Sequence, residues 1–152
     1  LIPIDSANSL LSTPKPEEPL TLDINRSSEE DWQRLRGIGP TYARRIVHFR
    51  EKLGGFSSIE QVGETYNLPD SVFQKIRPHL QPSPIFRPLP LNRADFETLN
   101  AHPYIRYRQA RFLVRYREQH GPIPNAAAFR KAAYGVFSES EIERLLPYLD
   151  FK

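Results

Sequence analysis

The chain has 152 residues, of which 39% are hydrophobic and 26% are charged, and its net charge is +3. These values are typical of one globular domain or two small ones. The sequence contains no cysteine, which excludes disulfide frameworks, thiolate zinc sites and cysteine nucleophiles, and it has no apolar run long enough to span a bilayer.

The N-terminal residues 1–21 are rich in proline and follow no sustained hydrophobic period, so they are predicted to form a linker or tail. The sequence begins at Leu1 and has no methionine. We therefore expect a fragment whose missing segment exports it or anchors it to a membrane, in the bacterial periplasm, with a cytoplasmic location as the alternative.

Two later segments resemble each other, one starting at Asn25 and the other at Asn92, 67 positions further on. They predict a duplication, with repeats at residues 22–81 and 91–152 joined by a proline-rich linker at residues 82–90. The residues shared at this offset include Asn25/Asn92, Arg26/Arg93, Ile38/Ile105, Ala43/Ala110, Arg44/Arg111, Val47/Val114, Arg50/Arg117, Glu51/Glu118 and Gly54/Gly121.

Each repeat is predicted to consist of short helices. In the first repeat, Ser27 with Glu30 predicts a capping box that opens the first helix. Pro40 suits the start of the second helix, which should end at Gly54-Gly55. A third helix should open at Ser58, and a fourth should follow the turn in "NLPDSVFQKI". No segment alternates with period two, so the predicted fold is all-α, without a sheet.

The turn Gly37-Ile38-Gly39 joins the first two helices. Glycine permits the positive φ or the close approach that so tight a turn needs, while Ile38 can plug the space between the helices. The second helix begins at once, so its free N–H groups and its positive dipole end should face solvent near Thr41. Such a corner suits a phosphate and carries no sequence information.

The pattern around this turn resembles the helix-hairpin-helix motif and, in its extended form, the ComEA family of competence DNA receptors, above all its tandem-repeat branch. The resemblance covers residues 22–80 well and 89–149 more loosely. It implies sequence-independent binding of double-stranded DNA, possible use in DNA uptake, and a fold of two tandem helix-hairpin-helix domains. The matching positions are Trp32, Leu35, Gly37, Ile38, Gly39, Ala43, Ile46 and Val47. The binding positions that it implies are Arg36, Gly37, Ile38, Gly39, Thr41, Arg44 and Arg45.

The other three turns depart from the motif. They read Asn67-Leu68-Pro69, Tyr104-Ile105-Arg106 and "YGVF" at residues 134–137, so one hairpin in four keeps both glycines. The second repeat could compensate with side chains, since Arg108, Arg111 and Arg115 share one helical face. The alternative interpretation of these arginines is an ordinary exposed basic face.

A protein–protein interaction scaffold is the competing function, because the same fold also serves in protein assemblies. Arginine stands at the equivalent position of both repeats, as Arg50 and Arg117, which favours a structural role such as an ion pair. We expect no catalysis, metal or small-molecule substrate, and no cofactor beyond a monovalent cation that the Gly37–Gly39 hairpin could hold. The expected partners are double-stranded DNA, bound weakly and with steep salt dependence, and alternatively other proteins. Four aromatic residues are predicted to be in the core and all four histidines at the surface or at helix ends; these are Trp32, Phe49, Phe56, Phe73 and His48, His79, His102, His120.

Overall fold

A computed structural model describes residues 20–152. The predicted tail, residues 1–21, lies outside the described residues except for Leu20 and Thr21. The first half of the described chain contains strand β1 (Leu22–Asp23), helices α1 (Glu29–Trp32) and α2 (Pro40–Leu53), a 3-10 helix (Ile59–Glu64), helix α3 (Asp70–Ile76), a 3-10 helix (Arg77–His79) and strand β2 (Leu80–Gln81).

The second half repeats nearly the same order of elements. It contains strand β3 (Leu89–Pro90), helices α4 (Phe96–Ala101), α5 (Tyr107–His120), α6 (Ala126–Ala133) and α7 (Glu139–Leu145), a 3-10 helix (Leu146–Tyr148) and strand β4 (Leu149–Asp150). The main difference is that α6 replaces the 3-10 helix of the first half.

Two small parallel sheets correct the prediction that the chain has no sheet. β1 pairs with β2 and β3 pairs with β4, so the beginning of each half is hydrogen-bonded to its end. The ladders continue for one more bond each, from Ile24 N–H to the Gln81 carbonyl and from Leu91 N–H to the Asp150 carbonyl. The strands have two residues each, too short for a period-two pattern to be visible in the sequence.

The start of α1 also differs from the prediction by one residue. Ser28, not Ser27, is the N-cap, and its partner in the capping box is Asp31, not Glu30. The Ser27 hydroxyl instead donates to the Asp23 carbonyl at 2.8 Å. The hydrogen bonds from Ser28 lower the pKa of Asp31, so its carboxylate stays charged at the positive end of α1.

The residues shared by the halves hold the backbone together. The Asn25 side chain donates to the Phe56 carbonyl at 3.0 Å and accepts from the Phe56 N–H at 2.6 Å. Asn92 makes the same two bonds with Ile123, both at 2.8 Å. Each asparagine therefore fixes the segment that follows the long helix of its half.

The two shared arginines bind backbone carbonyls. Arg50 is buried and donates to the carbonyls of Ile24 at 3.2 Å and Ser27 at 2.6 Å. Arg117 donates to the Leu91 carbonyl at 2.8 Å. The predicted ion pair is present only for Arg50, which also contacts the neighbouring Glu51 at 3.3 Å. Among the described residues, Arg117 has no carboxylate partner.

The two halves share one hydrophobic core, and polar side chains cross between them. The buried Tyr148 hydroxyl donates to the Gly55 carbonyl at 2.7 Å and accepts from the Ser57 N–H at 3.1 Å. Tyr104 accepts from the Gln61 side chain at 3.1 Å and donates to Glu64 at 2.8 Å. The second half is therefore locked against the first by specific bonds as well as by apolar contact.

His102 lies at this junction and is the C-cap of α4, so its predicted helix-end position is confirmed, although the ring is not at the surface. It is 6% exposed, its ring contacts those of Tyr104 and Tyr148, and its Nδ1 accepts the Tyr104 N–H at 3.1 Å. Burial, aided by the charge of Arg87, lowers the pKa of His102 to about 4, so the ring is neutral at pH 7. Of the four aromatic residues predicted in the core, Trp32, Phe56 and Phe73 are buried and Phe49 is partly buried.

Candidate nucleic-acid interface

The first hairpin consists of residues 35–41 and connects α1 to α2. Gly37 adopts φ 95°, a conformation that suits glycine, and the Ile38 N–H donates to the Leu35 carbonyl at 3.1 Å. Ile38 is 4% exposed, so it plugs the corner as the motif requires. Gly39 is the N-cap of α2 and Pro40 its first residue.

The main-chain amides of this corner are free to bind a ligand. The N–H groups of Gly37, Gly39, Thr41 and Tyr42 donate to no acceptor among residues 20–152, and no side chain of that range caps α2. A Cβ placed on Gly39 would have no heavy atom within 4 Å, so the corner is open on that side. The positive end of a 14-residue helix and several unpaired donors therefore face the same exposed point.

The structure brings the predicted site residues of the first half together around this corner. Gly37, Gly39 and Thr41 are exposed at it, as are the flanking Arg36 and Arg44. Arg45 is half-buried instead, with its guanidinium carbon 5.5 Å from the centre of the Tyr66 ring. Arg45 thus points across to the second hairpin and not outward from the corner.

The second hairpin, residues 65–70, leads into α3, whose residue Val72 is 3.7 Å from where a Cβ of Gly37 would stand. Asn67 takes the left-handed conformation (φ 58°), and the Leu68 N–H donates to the Thr65 carbonyl at 3.1 Å. The backbone turn is thus kept without glycine. Pro69 has no N–H, however, and Asp70 adds a negative charge at the start of α3, so this corner offers an anion less.

The third hairpin, residues 102–107, keeps the plug but closes its own amides. Ile105 is 3% exposed, as Ile38 is 4%. The Tyr104 N–H, equivalent to that of Gly37, donates to His102, and the Arg106 N–H, equivalent to that of Gly39, donates to Gln109 Oε1 at 2.8 Å. The Tyr104 side chain turns into the junction between the halves. The two turn amides that match those of Gly37 and Gly39 are therefore both occupied at this hairpin.

The fourth hairpin, residues 133–138, is closed in the same way. Gly135 has φ 87°, and the Val136 N–H donates to the Ala133 carbonyl at 2.9 Å. The Ser138 N–H donates to Glu141 at 2.7 Å, and this bond lowers the pKa of Glu141. The charged Glu141 also contacts Arg106 at 3.2 Å and accepts from Gln109, so a carboxylate occupies the face where an anion would bind.

The remaining predicted site residues, Arg108, Arg111 and Arg115, are exposed on α5. None of them has a carboxylate within 4.0 Å among the described residues. The Arg111 guanidinium carbon lies 5.8 Å from the centre of the Tyr107 ring. This arginine stripe forms a basic surface in the second half that is separate from the first hairpin in sequence.

Within residues 20–152, histidine and carboxylate side chains form no group that could hold a metal ion, and none of the helices is both long and apolar enough to span a bilayer. The monovalent cation at the first hairpin stays a prediction.

The sequence does contain signals for the closed third and fourth hairpins. Gln109 stands three residues after Arg106, which is the spacing of a capping box, and Glu141 stands three residues after Ser138. Asparagine at position 67 is the residue type, after glycine, that most readily adopts a left-handed conformation. The role of His102 had no comparable signal, because it depends on packing between the halves.

Residues 20–81 match the family model of the helix-hairpin-helix motif. This range contains the first and second hairpins, and the open corner is the one with both glycines. Residues 20–81 therefore carry a helix-hairpin-helix motif.

The chain is similar over part of its length to two kinds of curated protein. It is 32% identical over 56 residues to ComE operon protein 1 of Bacillus subtilis (strain 168), covering 37% of this chain and 27% of that protein. It is also 26% identical over 159 aligned residues to endonuclease/exonuclease/phosphatase family domain-containing protein 1 of Mus musculus and of Rattus norvegicus, covering 78% of this chain. The chain spans 27–28% of the length of these curated relatives. No solved structure matches it significantly.

Proposed function

We propose that the chain binds double-stranded DNA without sequence specificity, by directing the free amides of the first hairpin at the phosphate backbone. The helix-hairpin-helix motif and the similarity to ComE operon protein 1 point to DNA binding in general. The proposal that the first hairpin binds the phosphates depends on the difference between the first hairpin and the third. Among the described residues, the first has unpaired N–H donors at Gly37 and Gly39 and an open approach, whereas the equivalent donors of the third, on Tyr104 and Arg106, are occupied.

The physical basis of such binding is a charge-assisted contact. A phosphate oxygen at Gly39 would accept from main-chain N–H groups at the positive end of α2, with Arg36 and Arg44 nearby to add attraction. Because phosphates are alike along the duplex, this contact fixes position and carries no base preference. Few phosphates can be reached from one corner, so affinity should be micromolar or weaker. Each further phosphate that the arginines contact makes the fall of affinity with salt steeper.

The two halves are proposed to be tandem helix-hairpin-helix domains of which the second has lost its phosphate sites. Its contribution to DNA would come from the arginine stripe of Arg108, Arg111 and Arg115, which attracts the duplex at longer range. A role in DNA uptake follows from the resemblance to the ComEA family alone. That the chain is no enzyme, that it takes no small-molecule substrate and that it is exported or membrane-anchored all stay predictions.

A protein–protein scaffold is the competing function. At the third and fourth hairpins the N-cap amides, on Arg106 and Ser138, are occupied by side chains of the following helix. The exposed first hairpin lacks this closure among the described residues, so DNA binding is favoured.

A titration of labelled random-sequence duplex at low and moderate salt tests the proposal, with Gly39→Glu as the key variant. Gly39 has φ −94° and open surroundings, so glutamate fits there and places a negative charge at the phosphate position. Ser140→Glu is the matched control, because it adds the same charge at the exposed start of α7, after a closed hairpin. Circular dichroism checks that both variants are folded.

We expect the wild-type chain and Ser140→Glu to bind at low salt and Gly39→Glu to lose about tenfold or more in affinity, which corresponds to about 1.4 kcal/mol for one charge-assisted contact. Equal binding by all three proteins would reject the first hairpin as the site. No binding by the wild-type chain at low salt would favour the scaffold.

A further inference from the structure

A cleft of about 490 Å³ opens between the halves beside α2. One wall consists of Arg45, His48 and Lys52 on α2, with Tyr66 from the second hairpin, and the other wall comes from residues 100–105 of the second half. Both halves contribute to the cleft, so it depends on the packing between them, to which the hydrogen bonds of Tyr104 and Tyr148 contribute.

The lining of this cleft combines positive charge with an exposed aromatic ring. Arg45 and Lys52 contribute the charge, and no carboxylate is among the described residues that line it. Tyr66 is 75% exposed, although a large aromatic side chain is usually buried. Phe49 and Ile105 add apolar surface, and Asn100 adds a hydrogen-bonding amide. Basic groups beside exposed aromatic rings are what single-stranded nucleic acids bind, with phosphates on the charges and bases on the rings.

The size of the cleft decides between a duplex and a single strand. A volume of about 490 Å³ is within the range of small-ligand sites, so a nucleotide can enter and a double helix cannot. A larger neighbouring cleft, of about 760 Å³, shares His48 and Lys52 but is also lined by Glu51 and Glu97. These two carboxylates repel a polyanion, so we expect a nucleic-acid strand to follow this basic surface only as far as Lys52.

The cleft is continuous with the proposed duplex site. Thr41, Arg45, His48 and Lys52 follow each other on α2 at spacings of four, three and four residues, and so share one face of the helix. At 1.5 Å per residue, Arg45 is about 9 Å along the axis from Gly39, which is about three base-pair steps of a duplex strand. A strand held at the hairpin needs only a short unpaired extension to reach the cleft.

We propose that this cleft, here called the junction cleft, binds an unpaired nucleotide of a DNA strand, with its phosphate on Arg45 and Lys52 and its base on Tyr66. The chain then prefers a duplex with a single-stranded tail over a blunt duplex. The preference for a tailed duplex rests on the proposed function. Binding of a single strand in the junction cleft does not depend on it.

The test compares the affinities of a blunt duplex, the same duplex with a short thymidine tail at the 3′ or the 5′ end, and a free thymidine oligonucleotide, all at low salt. The key variant is Tyr66→Ala. Tyr134→Ala is the matched control, because Tyr134 occupies the same position in the fourth hairpin, is 86% exposed and does not line the cleft. Lys52→Glu and Lys131→Glu form a second pair of variant and control, both at exposed lysines on helices.

We expect one of the tailed duplexes to bind about fivefold or more tightly than the blunt duplex, the gain that corresponds to one stacked base. Tyr66→Ala and Lys52→Glu should abolish this gain, and the two controls should keep it. A tail that adds no affinity would overturn the inference, as would an equal loss in Tyr66→Ala and Tyr134→Ala. If the blunt duplex fails to bind while the oligonucleotide binds in a Tyr66-dependent way, the duplex proposal fails and the junction cleft stands.

Discussion

Acidification should loosen the junction between the halves through His102. In the folded chain this ring is buried between Tyr104 and Tyr148 and its pKa is lowered to about 4, whereas in the unfolded chain it returns to 6.5. Above pH 6.5 the ring is neutral in both states. As the pH falls from 6.5 towards 4, the unfolded chain takes up a proton that the folded chain refuses, so the free energy of unfolding decreases.

The size of the effect follows from the two pKa values. The folded state loses about 1.4 kcal/mol by about pH 5.5 and about 3 kcal/mol by about pH 4, at about 1.36 kcal/mol per pKa unit. The comparison variant is His102→Leu, since leucine occupies the equivalent position 35 of the first half. It removes the titrating group but retains an apolar side chain.

Urea unfolding at a series of pH values between about 7.5 and 5 measures this prediction, by far-UV circular dichroism for the whole chain and by Trp32 fluorescence for the first half. The variant starts less stable, because the Tyr104 N–H loses its acceptor. Its stability should nevertheless fall less with acidity than that of the wild-type chain, by about 1.4 kcal/mol at about pH 5.5. Parallel pH profiles of the two proteins would refute the assignment of His102 as a buried neutral group.

Two other substitutions test the contacts that hold the fold. Arg50→Met should lower the free energy of unfolding by about 2–3 kcal/mol, because two buried carbonyls lose their charged donor. Arg117→Met should lower it by about 1 kcal/mol, because only the Leu91 carbonyl is affected. Denaturant titration compares the two variants, and a larger cost for Arg117→Met would contradict the contacts described. Tyr148→Phe should cost about 1–3 kcal/mol, because the buried Gly55 carbonyl loses its donor, while the Ser57 N–H still donates to Gln61. Tyr134→Phe at an exposed position should change the unfolding midpoint little, and equal midpoints would show that the Tyr148 hydroxyl does not hold the halves together.

The sequence was informative where a local pattern dictates local geometry. The pair of glycines around Ile38, with Pro40 after it, predicted the first hairpin, and the structure has that turn with Ile38 as its buried plug. The helix stop at Gly54 was predicted for the same reason, and that residue has φ 87°. Patterns of this kind act over one or two turns of chain, so one sequence suffices to recognise them.

What could not be predicted depends on residues far apart in the chain. β1 and β2 are two-residue strands that pair across more than fifty positions, and no local pattern records such a pair. The same holds for Tyr104, whose side chain leaves the hairpin and joins the halves through Gln61 and Glu64. In the sequence, tyrosine in place of glycine indicates the loss of a phosphate-binding turn. In the structure, the same side chain also joins the two halves.

The central claim, that the first hairpin binds phosphate through its own main chain, is tested most directly by nuclear magnetic resonance. Amide resonances are recorded while random-sequence duplex is titrated into the labelled chain at low salt. Binding as proposed shifts the Gly37, Gly39 and Thr41 amides the most and leaves those of Tyr104 and Arg106, which donate to His102 and Gln109, nearly unchanged. If the Gly39 and Thr41 amide resonances do not shift at saturating duplex, the result contradicts phosphate binding at the first hairpin, whichever other resonances shift.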